Sequence, residues 1–101
     1  MNKPGSHIRL YEERGETSIF IDVEINDKGS VVLSGQDLGK VPEEFWGDSD
    51  YEYWIVVDQK QKDNLLLSLI KDKFGGNAQA FSNFKDYLIK EGIPYDFDSW
   101  V

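Results

Sequence analysis

The sequence predicts an α+β fold: an antiparallel four-stranded sheet (β-meander), two C-terminal helices packed on one face of it, and a docked C-terminal tail. Three observations lead there. Apolar residues alternate with a period of two in four segments before Asp58, and the period becomes helical after it. Glycine, asparagine and aspartate cluster between those segments. Strands first and helices afterwards is the order of a sheet with its helices segregated to one side.

His7–Glu13 is a short strand, with Ile8 and Leu10 expected on one face and Arg9 and Tyr11 on the other. A turn follows at Arg14-Gly15-Glu16. In 17–25, Ile19, Ile21, Val23 and Ile25 line one face, while Phe20, Asp22 and Glu24 line the opposite one. Such alternation is what a half-buried strand requires, since successive side chains point to opposite faces. Asn26-Asp27-Lys28-Gly29 reads as a hairpin turn, its glycine supplying a positive φ. A third strand covers 30–36, with Val31 and Leu33 inward. The two glycines of Gly35-Gln36-Asp37-Leu38-Gly39 are then expected to break the sheet.

Val41–Gly47 looks like one helical turn. Proline suits its first position, and the acids that follow favour the positive end of the dipole. The fourth strand is 51–57, with Tyr51, Tyr53, Ile55 and Val57 on one face and Glu52, Trp54 and Val56 on the other. Leu65, Leu66, Leu69, Ile70 and Phe74 recur at helical spacing in 58–74, where Asp58 and Gln61 can cap the start and Gly75-Gly76 end it. A second helix is expected over 77–91. Asn77 is its cap, Ala80, Phe81, Phe84, Tyr87 and Leu88 its buried stripe, and Gly92 its stop. The tail, 93–101, alternates apolar and acidic residues after Pro94 and is expected to dock, as an edge strand or otherwise.

At 101 residues the chain has room for one domain, read as 7–101 behind a flexible tail of residues 1–6. No cysteine is present, which removes disulfides, thiolate metal sites and a cysteine nucleophile. The single histidine, His7, provides neither a histidine-based triad nor a multi-histidine zinc site. The alternating carboxylates Asp48, Asp50 and Glu52 resemble a calcium loop, but Tyr53 stands where the sharp glycine turn belongs and Gln59 where the bidentate glutamate does. Paired carboxylates could serve a glycosidase, but a chain of this size rarely builds a cleft around a sugar chain. Gly75-Gly76-Asn77 lacks the lysine of a phosphate loop. The expectation is therefore a non-enzymatic protein without cofactor or metal.

Residues 37–58 hold seven of the nineteen acids and one of the eleven bases. A net charge of −8 opposes nucleic acid or an anionic membrane as partner. With no apolar leader or membrane-length run, a cytoplasmic protein is expected. The concentrated acids, set among aromatic residues, fit a surface that grips a basic protein, such as a toxin or a nucleic-acid enzyme. The candidate partner-binding residues are Asp37, Glu43, Glu44, Trp46, Asp48, Asp50, Tyr51, Glu52 and Trp54. Against this stand two plainer readings: acids aid solubility, and the tail or the Pro42–Trp46 turn folds over Phe20 and Trp54 to make a minor second core. Two further functions compete with it, a homo-oligomeric (homodimeric) structural module and a small-molecule or carbohydrate binder that uses Trp46 and Trp54 as stacking platforms.

Three segments together carry a resemblance: Gly35-Gln36-Asp37-Leu38-Gly39, then Phe45 to Trp54, then Gly92-Ile93-Pro94-Tyr95 with Ser99-Trp100. They resemble a set of small uncharacterised bacterial proteins that share GxDLG, DYEYW-type and GIPYxFxSW-type segments, over nearly the whole chain. The resemblance implies no activity and no catalytic residue. In size and charge alone the chain is also similar to immunity proteins, antitoxins and phage-encoded inhibitors.

Overall fold

The computed structural model describes residues 6–40 and 50–100. Four strands, β1 (His7–Glu13), β2 (Thr17–Ile25), β3 (Val31–Gly39) and β4 (Asp50–Val57), form one antiparallel sheet in the order β1-β2-β3-β4. A 3-10 turn (Gln59–Gln61) leads into α1 (Lys62–Phe74), and α2 (Ala80–Glu91) follows. The fold is the α+β meander with two helices that the periodicities predict. The chain divides into two compact units, one ending at Asp63 and one beginning at Asn64.

In the sheet unit the register sorts the side chains. Asp22 lies opposite Arg9 and Ser34, Phe20 opposite Gln36, and Ser34 and Gln36 opposite Trp54 and Glu52. These residues share one face, which is polar with two large rings. Ile19, Ile21, Val23, Val31, Leu33, Ile55 and Val57 share the other. The hairpin between β2 and β3 closes as expected: Gly29 has φ 81°. Asn26 Oδ1 accepts from the backbone N–H groups of Lys28 and Ser30, both at 3.0 Å, and Ser30 is buried. Ser6, assigned to the tail by sequence, accepts from the backbone N–H of Ile25 at 2.9 Å and so extends the ladder of β1.

Two sheet expectations are corrected. In β1 the register slips between Arg9 and Tyr11, so Leu10 is an extra residue in a bulge. Strict alternation puts Tyr11 beside Arg9. The bulge instead turns Tyr11 onto the apolar face with Ile8, opposite Ile21. The second correction concerns Gly35 to Gly39, which do not break the sheet: β3 continues to Gly39. Gly35 is there because the ring of Tyr53, its partner on β4, lies across it, and an added Cβ would overlap that ring. A glycine can mark a close approach as well as a turn.

In the second unit Phe74, at the end of α1, meets two rings of α2 edge-on, Phe84 at 5.3 Å and Tyr87 at 5.7 Å between centroids. This cluster holds the two helices together. Leu66, Leu69 and Phe81, expected in the buried stripes, are more than half exposed. The capping also differs in detail. Asp58 accepts from the backbone N–H of Lys60 at 2.8 Å, which starts the 3-10 turn and delays the α-helix to Lys62. Asn77 caps a turn by accepting from the backbone N–H of Gln79 at 2.7 Å, so α2 begins at Ala80 rather than at 77. Gly92 stops α2 as expected, in the left-handed conformation with φ 68°. The tail docks, but on α2 and not as a strand: Phe97 meets Phe81 edge-on at 6.1 Å, and the Lys85 ammonium lies 5.2 Å from the Phe97 ring centre.

Candidate acidic and aromatic sheet face

The polar face of the sheet has two halves, built from similar parts and completed differently. On β1 and β2, Arg9 Nε donates to Asp22 Oδ1 at 2.6 Å, and the same guanidinium bonds to Glu12. Arg14 Nε donates to the other oxygen of Glu12 at 2.7 Å. Both guanidinium groups lie 5.1 Å from the centre of the Phe20 ring. His7 Nε2 comes within 3.3 Å of Asp22 Oδ1. The hydrogen bond to Asp22, ahead of its charge, raises the Arg9 pKa. That from Arg14 lowers the Glu12 carboxyl below its ordinary value. Two arginines and two acids cancel there, and one aromatic ring is covered by cations.

The β3–β4 half contains neither lysine nor arginine on either strand. Gln36 Nε2 donates to Asp50 Oδ1 at 3.1 Å and to Glu52 Oε1 at 3.4 Å. One amide thus gathers two carboxylates that alternation already places on the same side of β4. Trp54 is next along that side and remains 63% exposed. Between the halves lies a depression of about 410 Å³, with walls that include Phe20, Asp22, Glu52 and Trp54. Its cause is local: β3 contributes the small residues Ser34 and Gly35 to the floor, while the neighbouring strands raise large side chains on either side.

The structure separates the residues that the sequence singled out. Asp50, Glu52 and Trp54 stand together on the polar face. Asp37 and Tyr51 lie opposite each other on the other face. There Asp37 Oδ1 accepts from Tyr53 Oη at 2.8 Å, and the Tyr51 and Tyr53 rings lie 5.2 Å apart. Burial, then the bond to Asp37, raises the Tyr53 pKa above the ordinary 10.0. Glu43, Glu44, Trp46 and Asp48, with the helical turn expected at 41–47, lie outside the described residues. Ser34 and Gln36 fall inside the strand that the sequence places at 30–36, but they carry neither charge nor ring, and the density of acids and rings does not mark them. No apolar alternation marks the continuation of β3, since Val31-Val32-Leu33 are all apolar and Ser34 to Asp37 hold no apolar side chain.

Among the described residues, no helix is long and apolar enough to cross a membrane. No protein-family model, curated protein or solved structure matches the chain.

Proposed function

We propose that this chain is a small acidic binding protein, not an enzyme, that occludes a basic protein partner such as a nuclease, as an immunity protein or antitoxin would. The observation that supports this reading is the β3–β4 half of the polar face. Asp50, Glu52 and the exposed Trp54 stand on one side of one strand, and neither strand of that half supplies a base. Carboxylates there take the position that phosphates occupy on a basic surface, and the indole supplies area that buries at low entropic cost. The excess charge of residues 37–58 steers the encounter, which makes association sensitive to salt over a screening length of about 10 Å at 0.1 M.

The test is affinity capture on the wild-type chain at low and at high ionic strength. A basic protein retained at low salt and released at high salt is the expected result. Recovery of the chain's own copies alone, at both salts, would overturn the reading and favour a homo-oligomer.

A further inference from the structure

We propose that Trp54, Glu52 and Gln36 form a seat for one arginine side chain of the partner, with the guanidinium plane on the indole and its N–H groups on the Glu52 carboxylate. This rests on the reading of the chain as a binder of a basic protein, and it names the group that the binder recognises.

The argument comes from the other half of the same face. Phe20 is flanked by the Arg9 and Arg14 guanidinium groups, and these in turn are held by Asp22 and Glu12. An aromatic ring, a guanidinium and a carboxylate make one complete unit there, entirely from within the chain. Across the depression Trp54 and Glu52 repeat two of its three parts. The stacked cations among the described residues lie on Phe20, Phe74, Tyr87 and Phe97. Tryptophan is the strongest of the aromatic side chains in this role.

Three features select arginine. The Gln36 amide, bonded to both Asp50 and Glu52, holds the Glu52 carboxylate on the side of β4 that Trp54 occupies. A planar guanidinium can stack on the ring and bond to that carboxylate at once, whereas an ammonium is compact and strongly hydrated. Finally, Arg9 does not repel the incoming cation, because its charge is already matched by Asp22 and Glu12. A depression of about 410 Å³ is at the small end of ligand sites, roughly 300–1,000 Å³, and suits one long side chain with its flanking backbone.

The experiment is a titration of the isotope-labelled full chain, followed by the Trp54 indole N–H and the Gln36 side-chain amide resonances. The probes are the capped tripeptide Gly-Arg-Gly, its lysine and citrulline counterparts, and the neutral sugar cellotriose. Both resonances are expected to move saturably with the arginine peptide. Binding should be weaker by about two- to fivefold for lysine and more for citrulline, the range a solvent-exposed cation–π contact covers. Glu52→Gln should weaken the arginine peptide several-fold, and Trp54→Leu should remove its effect on Gln36. Both side chains stand on the exposed face of a strand, and the remaining resonances report whether the sheet is intact. Equal response to arginine and lysine or citrulline, response to cellotriose in place of arginine, or no response would each overturn the proposal. Such a failure alongside salt-sensitive capture of a basic protein refutes the arginine seat alone. Loss of that capture refutes the functional reading beneath it.

Discussion

Gly35→Ala tests why β3 continues through a glycine. The backbone there takes an ordinary strand conformation, so alanine meets no backbone strain. Its Cβ would overlap the Tyr53 ring and come within 2.7 Å of Tyr53 Oη. The ring must swing away, which breaks its hydrogen bond to Asp37 and its contact with Tyr51. The hydrogen bond contributes about 0.5–1.5 kcal/mol and the ring pair about 0.5–1.5 kcal/mol. Alanine in a strand recovers about 0.5–1 kcal/mol relative to glycine. The net expectation is a loss of about 0–2.5 kcal/mol, centred near 1 kcal/mol. When Tyr53 is first replaced by alanine the obstruction is gone, and Gly35→Ala should then stabilise by about 0.5–1 kcal/mol. Urea unfolding of the four proteins, followed by far-UV circular dichroism, reads both signs. A Gly35→Ala effect of the same sign and size in both backgrounds would refute the reasoning, and Gly35 would be a turn relic rather than a ring seat.

Other consequences can be measured in the same way. The folded state holds the Tyr53 phenol protonated, so its contribution to stability is fully present below the ordinary tyrosine range and is lost as pH rises through the raised folded pKa. Tyr53→Phe should therefore flatten the alkaline fall in stability, and it should delete a late step from the tyrosinate absorbance titration. At neutral pH the same variant should cost about 0.5–1.5 kcal/mol by urea unfolding, through the lost bond to Asp37. Gly92→Ala meets no atom within 4 Å but must hold φ near 68°, so it should destabilise by about 1–2 kcal/mol through backbone strain alone. An unchanged urea midpoint would mean that α2 ends without the left-handed cap.

Much of the fold was legible because period and punctuation agreed. In β2 and β4 alternation is unbroken, and the faces came out as read. β1 failed at one residue, since a bulge leaves no mark in an alternating pattern when both Leu10 and Tyr11 suit a strand. β3 failed for a different reason: a glycine that admits a ring from the next strand looks locally like one that makes a turn. Helix starts were displaced because Asp58 and Asn77 each cap a short turn before the helix proper. The candidate site was legible in composition and not in geometry. Density of acids and rings pointed to 37–58, but pleating divides Asp37 and Tyr51 from Asp50, Glu52 and Trp54. The partnership of Gln36 with two carboxylates depends on cross-strand register, which is fixed only once β3 is known to continue.

The central claim is that one half of the polar sheet face, and not the overall negative charge, recognises a basic protein. Its most direct test compares two double variants as capture baits at low salt. Asp50→Lys with Glu52→Lys reverses the charges beside Trp54, and Asp63→Lys with Asp72→Lys makes the same change in net charge on α1. The account predicts that the first pair loses the salt-sensitive basic partner, with affinity down on the order of tenfold or more, while the second retains it. Equal loss by both pairs would contradict the account and return the acids to a general effect of charge.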